Sequence, residues 1–231
     1  MSTVERPGPR TLPPLVAGQE LDQPTFHERY EAMPSGTWAE LIGGVVYMPS
    51  PLFNDHGEAD EDIGYWLVHY KRFTKGVRSS GNATTILGNF GEVQPDCQLR
   101  IPEELGGQTR IVGGYISGPP EFVVEVGKSS RKKDLGPKKA DYERAGVAEY
   151  LFLGIEPNEI RWFVRREGRF VDMAPGPDGV FRSEVFPGLW LDPRALFFGD
   201  LDGIIAVLEQ GLATPEHAAL VGRLAAGNTV R

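Results

Sequence analysis

The most constraining feature of this sequence is an apolar run at residues 121 to 127 with a glutamate at its centre. The run reads Glu-Phe-Val-Val-Glu-Val-Gly, and the central charged residue is Glu125. Such a run is typical of a strand buried on both faces, which requires other layers on each side of a sheet. An unpaired carboxylate is costly to bury, so Glu125 needs a cation, a metal ion or a hydrogen-bond network. The run predicts a layered α/β fold, and a purely structural pairing of Glu125 stays open.

The composition is that of one soluble domain. The chain has 231 residues, of which 40% are hydrophobic and 24% charged, and a chain of this length buries roughly 70% of its unfolded surface. Its single cysteine, Cys97, excludes an internal disulfide and favours a reducing compartment. The first twenty residues lack the apolar run of a secretory signal, and no window anywhere has the ~20 apolar residues of a spanning helix. We therefore expect a cytoplasmic protein without membrane contact.

The hydrophobic pattern predicts one mixed α/β (α+β) domain. Residues 1 to 24 read as a Pro-rich arm, 25 to 192 as the domain and 193 to 231 as a helical extension. Gly43-Gly44 favours a two-residue hairpin turn, Thr25 and Glu28 have capping-box spacing, and Asp134 is a candidate N-cap. The predicted strands are 40 to 42, 45 to 48, 83 to 88, 92 to 101, 121 to 127, 149 to 155, 160 to 165 and 169 to 173. The predicted helices are 25 to 33, 56 to 73, 135 to 145, 193 to 198, 200 to 210 and 215 to 226, with a surface loop at 106 to 118.

A basic segment stands out in an acidic chain. The formal net charge is −8, which argues against general affinity for nucleic acid, because phosphate binding depends on Lys and Arg. Any such binding must be local. A charge run of this kind is often only a solvated face, and that alternative stays open. The segment 128 to 139 has six cations against the single acid Asp134: Lys128, Arg131, Lys132, Lys133, Lys138 and Lys139.

Two further residues are candidates for chemistry. Asp96 follows Pro95 where polar and apolar residues alternate from 93 to 100, and the alternative is an ordinary solvent-facing strand. Pro95 places this strand near an edge or a bulge. Lys138 falls on the inward stripe of the helix predicted at 135 to 145, whereas Lys139 lies farther round. A lysine on a core-facing stripe needs an acidic partner, unless its stem only covers apolar surface and its amine reaches water.

Taken together, these pieces resemble the PD-(D/E)XK nuclease superfamily and, within it, the Uma2 family of endonucleases. The resemblance spans about residues 36 to 155. It is carried by Ala39-Glu40-Leu41-Ile42 with Gly44, Pro49-Ser50-Pro51 with His56, Gln94-Pro95-Asp96, Phe122-Val123-Val124-Glu125-Val126, Ser129-Ser130-Arg131, Asp134-Leu135 with Lys138, and Tyr142 to Val147 with Glu149-Tyr150.

The resemblance implies a restriction-endonuclease-like fold, in which a central mixed β-sheet is flanked by helices. It implies that Asp96, Glu125 and Glu40 share one Mg²⁺ or Mn²⁺ ion, and that the substrate is a nucleic acid, DNA by preference. The family's usual lysine position, two residues after Glu125, is occupied by Gly127. Lys138 is our choice for the catalytic lysine and Lys128 is the rival.

The remaining assignments follow from the same resemblance. The residues expected to bind substrate are Lys128, Arg131, Lys132 and Lys133. His56 matches a family histidine, but a histidine at a helix start more often caps or packs, so it is left out of the catalytic set.

Two other classes of function compete with a nuclease. One is a noncatalytic nucleic-acid-binding or regulatory domain that retains the fold. The other, an unrelated α/β hydrolase or transferase, has neither a nucleophile elbow nor a phosphate loop to support it. The apolar residues of the C-terminal helices also predict a homodimer. They are Ile204, Ile205, Val207, Leu208, Leu212, Leu220, Val221 and Leu224.

Overall fold

The computed structural model describes residues 12–48 and 53–227. The first eleven residues of the predicted arm, the Pro49-Ser50-Pro51 break and the last four residues lie outside the described residues. The strands in chain order are β1 (Glu40–Ile42), β2 (Val45–Tyr47), β3 (Arg78–Gly81), β4 (Thr85–Ile86), β5 (Glu92–Val93), β6 (Cys97–Arg100), β7 (Arg110–Val112), β8 (Tyr115–Ser117), β9 (Phe122–Gly127), β10 (Glu149–Ile155), β11 (Asn158–Arg166), β12 (Arg169–Met173), β13 (Phe181–Arg182) and β14 (Trp190–Leu191).

The described residues also form seven α-helices. They are α1 (Gln23–Glu31), α2 (Asn54–Phe73), α3 (Arg131–Lys133), α4 (Lys139–Ala145), α5 (Pro193–Phe197), α6 (Leu201–Leu212) and α7 (Pro215–Gly227). A π-helical turn (Asp134–Lys138) joins α3 to α4, and a 3-10 turn (Glu103–Leu105) follows β6.

The central sheet is built around the apolar run that contains Glu125. Its six strands lie in the order β12, β11, β10, β9, β6, β3. β9 and β10 are parallel, and the other neighbouring pairs are antiparallel. Every residue of β9 is buried, as its unbroken apolar pattern predicts. The chain is therefore a mixed α/β (α+β) fold with helices on a mixed sheet, as expected.

A second six-stranded sheet has the order β2, β1, β5, β4, β8, β7. The single strand predicted at 92 to 101 is wrong, because it divides into β5 of this sheet and β6 of the central sheet. Pro95 has no N–H to donate to a ladder, and Asp96 lies in the bend between the two strands. The loop predicted at 106 to 118 is also wrong in part, since it contains the hairpin of β7 and β8.

The hairpin of β1 and β2 forms as predicted, with Gly43 and Gly44 at positive φ in its turn. The start of α1 differs from the expectation. Its N-cap is Asp22, whose carboxylate accepts a hydrogen bond from the Thr25 amide at 2.8 Å. The α1 helix therefore begins two residues before the predicted capping box.

One face of the central sheet is covered by α2, which presents Ile63, Trp66, Leu67 and Tyr70 to the core as the 3- and 4-residue spacing predicts. The apolar residues of α6 and α7 enter this same core, with Ile204, Leu208, Leu220 and Leu224 buried. Because these helices bury their apolar stripe within their own chain, they no longer provide a reason for a dimer. The homodimer itself stays a prediction.

The other face of the central sheet packs on α4 and on the second sheet. Val123, Tyr142, Tyr150 and Ile42 belong to this core. The acidic residues of interest therefore lie where two sheets and one short helix meet. Within the described residues, no helix combines the length and apolar character that crossing a membrane requires.

Candidate active site

Asp96 is positioned by a backbone hydrogen bond from the neighbouring strand. Its Oδ2 atom accepts from the Val126 amide at 2.7 Å, which places the carboxylate beside Glu125 on β9. The side chain of Asp96 keeps 16% of its surface exposed. It therefore lies on the solvent side of an otherwise buried cluster of acidic side chains. Asp96 is not on the solvent-facing strand that simple alternation would give, since it stands in the bend before β6.

Glu125 is buried and fully engaged. Both of its oxygens lie 2.8 Å from the Lys138 Nζ atom, and Oε1 also accepts from the Tyr142 hydroxyl at 2.5 Å. Burial raises the pKa of Glu125 well above its ordinary value, although Lys138 opposes the rise. The nearby Asp96, Asp134 and Glu40 raise the pKa further. The site therefore has an excess of negative charge around Glu125.

Lys138 is the cation that the inward helical stripe predicted. It is only 2% exposed, and its Nζ atom also lies 2.7 Å from Oε1 of Glu40. Burial alone would lower the pKa of Lys138, but Glu125 and Glu40 outweigh burial, so the pKa is raised. Lys138 is thus an ammonium group between two glutamates. Its predicted direction toward Asp96 and Glu125 is confirmed for Glu125, but its second partner at ion-pair distance is Glu40 rather than Asp96.

Glu40 comes from β1 in the second sheet. Its Oε1 atom accepts from the Gln94 amide at 2.9 Å, and its Oε2 atom lies 3.5 Å from the Lys133 Nζ atom. Burial raises the pKa of Glu40, but Lys138 and Lys133 more than offset this, so the pKa lies below its ordinary value. Two glutamates on one lysine therefore have opposite pKa shifts, because Glu40 has a second cation and a backbone donor.

The structure explains why no lysine follows two residues after Glu125. A Cβ atom at Gly127 would lie 2.5 Å from Cε2 of Phe152 and 3.0 Å from Oγ of Ser130. Any side chain at this position would overlap the core. The rival Lys128 points elsewhere, with its Nζ atom 2.6 Å from Asp55 and 3.3 Å from Glu156.

The helix that was predicted to contain Lys138 is broken. The single helix predicted at 135 to 145 is instead a π-helical turn (Asp134–Lys138) followed by α4, and Gly136 has non-helical angles of φ −107° and ψ −110°. Pro137 cannot donate a hydrogen bond to the preceding turn, which favours this break. Lys138 stands at the junction, one residue before α4.

Asp134 and His56 belong to the site but were not assigned to it from sequence. Asp134 is 1% exposed, and burial raises its pKa. Among the described residues its Oδ1 atom has no hydrogen-bond partner, although the Lys133 Nζ atom lies 3.7 Å away. Asp134 was expected to be an N-cap, but α3 begins three residues earlier at Arg131. His56 is 8% exposed, and its Nε2 atom lies 3.8 Å from Oδ1 of Asp96. The signal for both was their presence in the motif set that carries the resemblance.

Most of the residues expected to bind substrate have acidic partners within the chain. Lys128 pairs with Asp55, Arg131 with Glu159, and Lys133 with Glu40. Lys132 is exposed and has no ion pair within the part of the chain that the structure describes. The basic segment is therefore largely neutralised, and Lys132 is its most available cation.

The donor set fits a hard divalent cation. Four carboxylates, from Glu40, Asp96, Glu125 and Asp134, interact with two ammonium groups, from Lys133 and Lys138. Oxygen ligands are what Mg²⁺ and Mn²⁺ prefer, and a cation would offset the surplus negative charge. In residues 12–48 and 53–227, however, no three acidic, histidine or cysteine side chains already form a ligand set. Lys138 lies between Glu40 and Glu125.

A buried lysine between two glutamates, with an aspartate held by the adjacent strand of a mixed sheet, is the arrangement expected from the resemblance to the PD-(D/E)XK superfamily. A family model described as "Uma2: Putative restriction endonuclease" matches residues 25–194. The chain belongs to the Uma2 family.

A solved structure has the same fold. It is described as a "putative nuclease belonging to DUF820" from Anabaena variabilis, with a TM-score of 0.57 and 13% sequence identity. The match covers 74% of this chain and 96% of that one. At this identity the likeness concerns the fold alone. No curated protein matches the chain in sequence.

Proposed function

We propose that this protein is a Mg²⁺- or Mn²⁺-dependent endonuclease that hydrolyses phosphodiester bonds in DNA. The observation that carries the proposal is the Lys138 ammonium held between Glu40 and Glu125, in a site that Asp96 opens to solvent. Membership of a family described as restriction endonucleases supports the reaction class. The proposed location is the cytoplasm.

Asp96, Glu125 and Glu40 are the proposed metal ligands, and Asp134 adds a fourth carboxylate beside them. A bound divalent ion lowers the pKa of a coordinated water and offsets charge on the attacked phosphate. Asp96 is suited to the exposed side of the site, because its Oδ2 atom is fixed by the Val126 amide. Its Oδ1 atom faces His56.

Lys138 acts as a donor rather than a base. The acids around it raise its pKa, so it stays protonated at neutral pH. An ammonium in a buried site orients an attacking water and stabilises the negative charge that develops on the phosphate. The Tyr142 hydroxyl donates to Oε1 of Glu125 and helps to hold that carboxylate in place.

One observation favours the second candidate, a noncatalytic nucleic-acid-binding domain. Glu125 has both oxygens bonded to Lys138 and a further bond from Tyr142. Metal binding by Glu125 therefore has to compete with these donors. If Lys138 and Tyr142 always exclude the metal ion from Glu125, the domain keeps the fold but does not catalyse cleavage.

The test is incubation with plasmid, single-stranded and double-stranded DNA, and RNA, each in Mg²⁺, in Mn²⁺ and in chelator. The matched variant is Asp96→Asn, because its amide oxygen still accepts from Val126 while the charge is lost. We expect metal-dependent cleavage by the wild type and none by the variant. Equal cleavage by both would show a contaminating nuclease, and binding without cleavage in every metal would favour the noncatalytic domain.

A further inference from the structure

Two arginines face each other at the edge of the central sheet. Arg78 on β3 and Arg100 on β6 are directly opposite in the antiparallel register, so their side chains leave the same face of the sheet. Arg78 is exposed and Arg100 is half-buried. Burial and the neighbouring Arg78 lower the pKa of Arg100.

Neither arginine has a partner for its charge. Within the described residues, no hydrogen bond or ion pair involves either guanidinium, and the Nε atom of Arg100 is shielded from solvent. Glu104 and Glu121 act on Arg100 only at longer range, and Glu121 already accepts from the amides of Ile101 and Gln108. In contrast, seven other arginines have a carboxylate at ion-pair distance: Arg131, Arg144, Arg161, Arg166, Arg169, Arg182 and Arg194.

Such an arrangement is unfavourable for the folded chain alone. Like charges directly opposite each other on a sheet destabilise the strand pair. A half-buried guanidinium without acceptors also loses hydrogen bonds that water would supply. An anion between the two side chains would remove both costs. Phosphate fits best, because the planar fork of arginine binds two of its oxygens at once.

We propose that Arg78 and Arg100 form a clamp for a phosphate of the nucleic-acid backbone. This inference rests on the proposed function and specifies how its substrate is held. Arg100 is four residues from Asp96, and an extended strand of that length spans about 13 Å. Along a duplex strand, with 3.4 Å per phosphate, this corresponds to roughly four nucleotides. The clamp therefore binds the substrate away from the cleaved bond.

The experiment measures binding apart from cleavage. Fluorescence anisotropy of a short labelled DNA duplex is recorded in chelator over a range of salt concentrations, for the wild type and for Arg78→Gln, Arg100→Gln and Arg78→Lys. Arg110→Gln is the matched control. Arg110 is also exposed on an edge strand, but its opposite residue is Ser117. Inorganic phosphate is used as a competitor.

We expect each glutamine variant to weaken binding about tenfold and to reduce the salt slope by about 0.9. The DNA affinity of Arg78→Lys should lie between those of the glutamine variants and the wild type, because lysine retains the charge but lacks the planar fork of arginine. The control should bind as the wild type does. Thermal unfolding is a second readout, since Arg78→Gln removes a repulsion and should not lower the melting temperature.

Unchanged binding by Arg78→Gln, or an equal loss in Arg110→Gln, would overturn the clamp even if the wild type cleaves DNA. Loss of binding in the Arg78 and Arg100 variants alone would support the clamp even if no metal activates cleavage. Only the proposed catalytic function would then fail. Competition by inorganic phosphate at equal phosphate concentration would indicate a site for free phosphate rather than for the polymer, and would also overturn the proposal.

Discussion

The Nζ atom of Lys138 lies 2.8 Å from the carboxylate of Glu125, and both side chains are almost completely buried. A buried ion pair of this kind has little net effect on stability while it is complete, but the loss of one partner leaves an uncompensated charge. The lysine that the proposed chemistry needs is therefore also a residue that the fold needs.

The first prediction is that Lys138→Met lowers the free energy of unfolding by roughly 3–5 kcal/mol and reduces cleavage at least ~100-fold. Methionine keeps the length of the stem, so the loss reports the charge rather than a cavity. A divalent ion would offset the negative charge of the glutamates that the variant leaves uncompensated. Mn²⁺ should therefore raise the unfolding midpoint of the variant more than that of the wild type.

Lys139→Met is the matched control, because the Lys139 Nζ atom lies over the ring of Phe163 rather than beside the acids. It should leave cleavage unchanged. A Lys138→Met protein that is as stable as the wild type and insensitive to Mn²⁺ would contradict the charge argument.

The second prediction separates two lysines of the basic segment. Lys132→Ala should weaken DNA binding in a salt-dependent way, because Lys132 is exposed and has no ion pair in the described part of the chain. Lys128→Ala should have the smaller effect, since Asp55 and Glu156 already balance that charge. Anisotropy titrations at two salt concentrations compare them, and a larger loss in the Lys128 variant would reverse the assignment.

The third prediction concerns Glu149, which is buried and accepts hydrogen bonds from Ser183, Trp162 and the amides of Glu184 and Val185. Burial outweighs these donors and raises the pKa of Glu149 to about 7. A raised carboxyl pKa means that its stabilising contribution is complete below the unfolded pKa of ~4.3 and is lost as pH rises through about 7. The free energy of unfolding should fall by up to roughly 3 kcal/mol between about pH 5 and pH 8.

Glutamine at this position resembles the protonated acid. Chemical denaturation of Glu149→Gln across the same pH range should therefore show a flatter profile than the wild type. A profile with the same slope in both proteins would assign the pH dependence to another group.

The fourth prediction is that Gly127→Ala destabilises the protein by about 1–3 kcal/mol, because the added Cβ overlaps the ring of Phe152. Gly57→Ala in α2 is the control, since a Cβ there meets nothing within 4 Å and alanine favours a helix. Thermal unfolding should shift in opposite directions for the two variants. A neutral Gly127→Ala would remove the steric reason for the absence of a lysine at this position.

The part of the site that depends on local patterns was predictable from the sequence. The apolar strand around Glu125 follows from side-chain periodicity and is confirmed. The inward position of Lys138 is confirmed too, although the regular helix from which it was derived is not. Asp134 and His56 were not assigned because their roles depend on contacts between distant segments. A helix-start residue has the same sequence pattern whether it caps the helix or faces an acid on another strand.

The fold was predictable where an element is long and periodic. Helix α2 and strands β10 and β12 match their predicted positions closely. The errors lie in short elements, such as the division of 92 to 101 between two sheets. Alternation continues across Pro95, so periodicity alone gives no sign that the chain leaves one sheet and enters another. Tertiary strand pairing decides which sheet each half of this segment joins, and the local sequence pattern does not show that pairing.

The position of Lys138 in the turn before α4 affects how often the site is assembled. Glu125 is fixed by the ladder of β9, and Asp96 is held by the Val126 amide, whereas Lys138 lies in the turn that leads into the seven-residue helix α4. Local openings have smaller free energies than global unfolding. We expect the docking of α4 to set the fraction of molecules with a complete site, and amide hydrogen exchange in that helix would measure how often the site opens.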